Sequence, residues 1–343
     1  MKIAIFEIEP WERQAFEGLE GEHDLVYENG RLDDSNVGKF ADADIVSTFI
    51  HSSLSREVLE RFSGLKLIAT RSTGFDHIDL DTCRDKGIQV ANVPTYGDNT
   101  VAEHVFALLL AISHNVVHAV DRTRRGDFSL EGLDGFDLQG KTMGVIGTGG
   151  IGQHTARIAK GFGMEVLAFD VAPREAIARE IGFTYVGMSE LLSRSDVVSL
   201  HVPGNDETKD LISTEQFETM KHGAVLINTA RGSVVDTEAM LRALASGKLR
   251  AAGLDVLAEE PAVREEAELL RSYFRKAHNL EALLANHILL RMRNVIITPH
   301  SAFNTREAVQ RILKATRDNI DCFIRGEPCN IVEGALSNQG VKS

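Results

Sequence analysis

Gly147-Thr148-Gly149-Gly150-Ile151-Gly152 is a G-x-G-x-x-G run, and its use depends on what flanks it. It follows the apolar stretch Thr142–Ile146 and opens a helical pattern through Ala156, Ile158 and Ala159. In a strand–turn–helix, Gly147 permits the tight turn, Gly149 lets backbone approach a pyrophosphate, and Gly152 lets helix and strand pack closely. The helix N-terminus, at Gly150, then offers unpaired N–H groups and the positive end of its dipole to phosphate. The next predicted strand ends at Asp170, whose carboxylate can accept from ribose hydroxyls and would repel a 2′-phosphate. The combination implies NAD as cofactor, although Arg174, four residues on, could reach a phosphate and weaken that preference.

Further polar groups stand at or just beyond predicted strand ends. Arg231 follows AVLINTA, Asp255 ends AAGLD with Glu260 five residues beyond it, and His300 follows NVIITP. A hydride transfer that interconverts a hydroxy acid and a keto acid needs these types. A histidine titrates near neutrality and can exchange the hydroxyl proton, and a neighbouring carboxylate orients it. An arginine grips the substrate carboxylate with two parallel hydrogen bonds and polarises the reacting carbonyl. Taken singly, an Arg, Glu or His in a loop is usually structural or solvated; the shared position after strands is what singles these out.

The elements that must position them alternate along nearly the whole chain of 343 residues, a length that predicts two domains. Strands are expected at Lys2–Phe6, Ile45–Phe49, Leu65–Thr70 and Ile88–Ala91, with a weaker one at His23–Tyr27. Amphipathic stretches at Ser55–Phe62 and Leu80–Lys86 lie between them. A second series places strands at Thr142–Ile146, Glu165–Phe169, Thr184–Val186, Val197–Leu200, Ala224–Asn228, Ala251–Leu254 and Val295–Thr298. Such alternation predicts βαβ units and two doubly wound parallel sheets of the α/β class. One long apolar helix is expected over Asn99–Ala119, buried between domains or subunits, then a loop over Asp121–Gly140. Val263, Ala267, Leu270, Phe274, Ala277 and Leu284 recur at helical spacing, so 262–294 reads as a helical insertion. A final helix is expected over Thr305–Arg325, and a frayed tail from Ser337.

Composition narrows the partners. The formal net charge of −13 repels phosphate backbones and anionic lipid, and the densest basic cluster, Arg122, Arg124 and Arg125, is followed at once by Asp127. No apolar run approaches the ~20 residues of a membrane span, and MKIAIFEIEPWERQ does not read as a signal peptide. Three cysteines build no disulfide framework or zinc knuckle. His114 and His118 have zinc-compatible spacing without a third ligand in register, so no metal is expected. A soluble, cytoplasmic protein with a small-molecule substrate is the expectation, without nucleic-acid or membrane partners.

Over about residues 1–333 the chain resembles the D-2-hydroxyacid dehydrogenases. The resemblance rests on RSTGFDHIDL (71–80), NTVAEH (99–104), GVIGTGGIG (144–152), SLHVP (199–203), LINTARGSVVD (226–236), GLDVLAEEP (253–261) and TPH (298–300). It implies that Arg231, Glu260 and His300 are the catalytic residues and that the amides of Thr73 and Gly74 bind the substrate carboxylate. Thr100, Ile151, Asp170, His201, Val202, Pro203, Thr208, Thr229, Ala230, Asp255 and His300 would line the NAD site. It also implies a Rossmann NAD-binding domain, 99–303, inserted into a flavodoxin-like substrate domain formed by 1–98 and 304–343, and a homodimer. RSTGFDHIDLDTC, VPTY and TPHSAFNT are most similar to the D-lactate dehydrogenase branch, in which Tyr96 and Phe303 would face a small apolar side chain, as in pyruvate. The separation of Glu260 from His300 is longer than in many members. Related activities, on glyoxylate, hydroxypyruvate or 3-phosphoglycerate, are the alternatives within the family; an NAD-sensing corepressor is the alternative of another class. His77 and His104 lie in family motifs and are expected to be structural, Glu103 and Asp76 to hold loops, and Cys83 to be buried.

Overall fold

A computed structural model describes residues 1–258, 280–332 and 334. The chain divides into two compact units, Met1–Tyr96 with Thr305–Ser343, and Gly97–Asn304.

The first unit carries a five-stranded sheet in the order β2-β1-β3-β4-β5, from Lys2–Phe6 (β1), Asp24–Glu28 (β2), Ile45–Thr48 (β3), Leu67–Thr70 (β4) and Gln89–Ala91 (β5). Every pairing is parallel. Alternate side chains of one strand face opposite layers. Ile3 and Ile5 pack with Leu313 and Ile320 of the helix Arg306–Ile324, while Ala4 and Phe6 pack with Leu32, Leu54 and Leu59 on the other side. Burial on both faces explains the near-continuous apolar runs of these strands. The order reverses between β1 and β3, the flavodoxin-like arrangement.

The second unit holds seven parallel strands in the order β12-β11-β10-β9-β6-β7-β8. They are Thr142–Ile146 (β6), Glu165–Phe169 (β7), Thr184–Tyr185 (β8), Val197–Leu200 (β9), Ala224–Asn228 (β10), Leu249–Leu254 (β11) and Val295–Ile297 (β12). Here the order reverses between β6 and β9, the Rossmann arrangement, so ligands are expected beyond the carboxyl ends of these strands.

Three expectations need correction. The helix expected over Asn99–Ala119 is two helices, Asp98–Ser113 and Val116–Arg124, bent by 61°. Asn115 breaks it by adopting a left-handed backbone, φ +52°, and its Nδ2 donates to the carbonyls of Leu133 and Asp134 at 3.1 and 3.0 Å. The second helix therefore takes up the start of the stretch expected to be loop. The first helix is covered by its own unit: a Cβ on Gly253 of β11 would lie 3.0 Å from Leu108 Cβ and 3.3 Å from Ile112 Cδ1. Third, Ser55–Phe62 supplies a single α-turn, Arg56–Leu59.

Elsewhere the local signals hold. Asp79 caps Leu80–Lys86, Gly87 ends it at φ +69°, and Thr305 Oγ1 caps the last helix by accepting from Ala308 N at 3.2 Å. In the expected insertion a helix runs over Leu280–Leu289; 262–279 and the tail from Ser337 lie outside the described residues. Among the described residues no single helix is long and apolar enough to cross a membrane.

Asn115→Ala should lower stability by about 1–3 kcal/mol, since it strains a left-handed position and orphans two carbonyls. Asn115→Gly, which removes only the hydrogen bonds, should cost less. Urea unfolding of both variants tests this; equal midpoints would contradict the backbone argument.

Candidate active site

β6 runs directly into the glycine loop. Gly147 has φ +92°, and a Cβ there would lie 2.6 Å from His201 O, so the turn needs glycine twice over. A Cβ on Gly152 would lie 2.0 Å from Gly147 O, and one on Gly150 would lie 2.1 Å from Asp98 Oδ2. At Gly149 a Cβ would meet nothing within 4 Å. The loop is thus filled by protein everywhere except at the glycine where a pyrophosphate is expected. Among the described residues the amides of Gly150, Ile151 and Gly152, the first turn of the helix Gly150–Gly161, donate to no protein acceptor. Such a helix end is an anion site.

Asp170, past the end of β7, closes the loop. Its Oδ2 accepts from Thr148 N at 2.6 Å and Thr148 Oγ1 at 2.8 Å, and its Oδ1 from Ala172 N at 2.9 Å. Burial alone would raise its pKa, but these hydrogen bonds and the nearby Arg174 charge hold the carboxyl below its ordinary value. Arg174 Nη2 donates to Thr148 O at 2.7 Å, so its guanidinium is engaged with the loop itself. Further along the edge, His201 bonds Ser199 Oγ at 2.9 Å, and burial pushes its pKa down to about 3, so the ring is neutral. Thr208 Oγ1 donates to Pro203 O at 2.6 Å and closes the loop that follows Val202. Thr229 Oγ1 is a buried hydroxyl without a hydrogen-bond partner among the described residues. The open face at Gly149, the unpaired amides and this orphan hydroxyl together fit a dinucleotide.

Arg231 is placed by an asparagine that sequence reading missed. Asn228, the last residue of β10, accepts from Ala230 N and donates to Arg231 O, both at 3.0 Å. Arg231 Nη1 bonds Ala230 O at 2.9 Å, and Gly204 leaves room for its stem, since a Cβ there would sit 2.8 Å from Arg231 Cγ. Gly232 is required because Leu257 backbone passes 2.1 Å from where its Cβ would be.

His300 has φ +54°, a left-handed conformation that costs a non-glycine residue roughly 1–3 kcal/mol. Asp255, only 1% exposed, holds it there. Its carbonyl accepts from His300 N, and its carboxylate accepts from Ser301 N and Ala302 N, all at 2.9 Å, and from the Thr298 hydroxyl. Burial works to raise the Asp255 pKa; hydrogen bonds from His104, Thr298 and the two amides outweigh it and leave the carboxyl below its ordinary value. Arg231 and His300 thus stand on loops at the carboxyl ends of β10 and β12. Glu260 lies outside the described residues.

Thr73, Gly74 and Tyr96 belong to the first unit; Thr100, Phe303 and the other candidates belong to the second. The amides of Thr73 and Gly74 follow β4 and donate to no group among the described residues, while Thr73 Oγ1 bonds Val93 O at 2.8 Å. Glu7 and Arg71 brace that sheet edge. The Glu7 carboxylate accepts from the amides of Phe49, His51 and Ser52, and buried Arg71 Nη2 donates to Phe6 O and Glu7 O at 2.6 Å.

Comparison with known proteins agrees with this geometry. Residues 106–302 match the NAD-binding domain of the D-isomer specific 2-hydroxyacid dehydrogenases. D-lactate dehydrogenase of Escherichia coli is 36% identical over 336 residues, 96% of this chain and 98% of that one. Hydroxypyruvate reductase of Blautia hydrogenotrophica is 35% identical over 316 residues, 90% and 91% of the two chains. The solved D-lactate dehydrogenase of Aquifex aeolicus, complexed with NAD and lactic acid, superposes with a TM-score of 0.84 at 37% identity, covering 95% and 96%. The chain belongs to the D-isomer-specific 2-hydroxyacid dehydrogenases. It is an NAD-dependent oxidoreductase acting on CH–OH groups.

The depressed pKa of Asp255 has a consequence for folding. Its stabilisation is fully present above the unfolded carboxyl value and is lost as pH falls through the lower folded value. The stability deficit of Asp255→Asn should therefore be widest near neutrality and shrink in acid. Urea unfolding across that range tests it; a deficit independent of pH would contradict an ionised Asp255. At the glycine loop, Asp170→Ala should bring NADPH use closer to NADH use, read as the ratio of kcat/KM. An unchanged ratio would remove Asp170 from cofactor selection.

Proposed function

We propose that this protein interconverts pyruvate and D-lactate. The observation that carries the chemistry is the seating of Arg231 and His300 after β10 and β12, the two strands that flank β11, each loop fixed by a side chain from a strand end, Asn228 and Asp255. Bound NADH supplies the hydride. Arg231 holds the keto acid by its carboxylate and polarises the carbonyl, and protonated His300 gives its proton to the carbonyl oxygen. Glu260, outside the described residues, is the carboxylate we assign as partner of His300. The free amides of Thr73 and Gly74 take the substrate carboxylate, and Tyr96 and Phe303 supply an apolar wall for a methyl-sized side chain. Thr100, Gly147, Gly149, Gly150, Ile151, Gly152, Asp170, His201, Val202, Pro203, Thr208, Thr229, Ala230 and Asp255 line the cofactor site. The unit built from 1–98 and 304–343 carries the substrate, and 99–303 the cofactor. The names of the Escherichia coli and Aquifex aeolicus relatives support the substrate assignment. The Blautia relative keeps hydroxypyruvate as the second reading.

The assembly we propose is a homodimer. Val116, Val117 and Val120 are exposed on one helix, and Phe128 and Leu130 beyond it are 78% and 81% exposed, which favours a protein partner at this surface. The three free cysteines suit a reducing compartment, in keeping with a cytoplasmic enzyme.

NADH oxidation across pyruvate, hydroxypyruvate, glyoxylate, phenylpyruvate and 3-phosphohydroxypyruvate should show the highest kcat/KM for pyruvate. Preference for another acid would move the substrate and keep the chemistry. His300→Ala should lower kcat by about 10²–10⁴-fold with little change in NADH affinity. Equal losses in both would remove it from proton transfer. Arg231→Lys should raise KM for the keto acid, because a point charge lacks the planar fork; an unchanged KM would contradict the clamp.

A further inference from the structure

We propose that His104 is a positioning residue for the reaction, acting on His300 through Thr298 and Asp255. The proposal rests on the acid–base role of His300 given above. His104 lies on the helix Asp98–Ser113, half-buried, far in sequence from the loop it serves. Its Nε2 is 3.0 Å from Thr298 Oγ1 and 3.5 Å from Asp255 Oδ1.

The direction of these bonds follows from counting protons. A threonine hydroxyl has one, and Thr298 donates it to Asp255 Oδ1. Thr298 Oγ1 therefore faces His104 as an acceptor, and Nε2 is the protonated ring nitrogen. The run reads His104 Nε2–H to Thr298 Oγ1–H to Asp255, whose carboxylate accepts from Ser301 N and Ala302 N and whose carbonyl accepts from His300 N. His300 N is shared between Asp255 O at 2.9 Å and Thr298 O at 3.0 Å, so its amide ties the loop to both residues.

The mechanical argument is as direct. The helix bearing His104 packs through Leu108 and Ile112 on Gly253 of β11, and Asp255 follows the end of that strand. His104 is thus fixed relative to Asp255 before the His300 loop is added. Thr298 follows β12 and leads into His300, so the imidazole of His104 reaches the loop at its first residue. Asp255 then grips the two amides after His300. The left-handed residue is held from both sides, and removing the His104 donor loosens the side nearer the strand.

A residue that merely fills space beside β11 would not show the following pattern. His104→Leu should lower kcat for keto-acid reduction on the order of 10²-fold, as a misplaced reacting group does. Its NADH dissociation constant, from cofactor fluorescence, should stay within about threefold of wild type. His104→Gln, which keeps an N–H donor, should recover most of the loss. In a His300→Asn background His104→Leu should cost nothing further, because the group it positions is gone. Thr298→Val, which removes the middle hydroxyl, should lower kcat in the same way and serves where His104→Leu does not fold.

Wild-type kcat in His104→Leu or in Thr298→Val would overturn the proposal. So would a loss of NADH affinity matching the loss of kcat, a glutamine variant no better than leucine, or the same penalty with and without His300. An inactive His300→Asn beside a fully active His104→Leu sinks this proposal alone. A His300→Asn enzyme as fast as wild type overturns the acid–base reading and this proposal with it.

Discussion

A buried carboxylate holding two successive backbone amides is the interaction on which the candidate active site depends. Asp255 follows β11, yet its oxygens are directed to Ser301 and Ala302 at the end of a neighbouring strand. An ionised side chain that is 1% exposed survives in the interior only when its lone pairs are filled. The donors that fill them are the loop amides and the Thr298 hydroxyl, with the His104 ring 3.5 Å from Oδ1. The electrostatic requirement of the carboxylate and the backbone strain of His300 therefore offset one another: the loop supplies donors, and the donors hold the loop in a conformation a histidine would not choose alone.

The same economy appears wherever a strand delivers a functional group. Asn228 ends β10 and ties down the turn bearing Arg231; Asp170 follows β7 and ties down the glycine loop after β6; Glu7 follows β1 and gathers the amides after β3. Asp170 and Glu7, each past one strand, fasten the connection leaving its neighbour, while Asn228 fastens the turn leaving its own strand. Parallel sheets make this possible because all their carboxyl ends lie on one edge. The chemistry-bearing groups can then come from distant parts of the chain while their supports come from adjacent strands.

Much of this was legible in the sequence, for physical reasons that differ by element. The buried strands announce themselves because both faces of each sheet are covered, so runs such as KIAIF and TMGVI carry almost no polar residue. The glycine loop is legible because steric demands at Gly147 and Gly152 admit nothing larger. The break at Asn115 was hidden by apolar residues that continue through it, and only the tolerance of asparagine for the left-handed region marks it. Asn228 was available as a polar residue closing an apolar strand just before Arg231. His104 looked structural because its partners, Thr298 and Asp255, are remote in sequence and meet it only once the helix Asp98–Ser113 is laid across the sheet.

The most direct test of the account is the single-turnover rate of NADH oxidation by pyruvate in Asp255→Asn, measured beside the NADH dissociation constant. An asparagine leaves one amide oxygen to serve donors that a carboxylate shares between two. If Asp255 acts by seating the His300 loop, hydride transfer falls on the order of 10²-fold while cofactor affinity stays close to wild type. Loss of affinity in proportion to the loss of rate would contradict it, and would make the place of Asp255 in the cofactor site, rather than its hold on the His300 loop, the source of the effect.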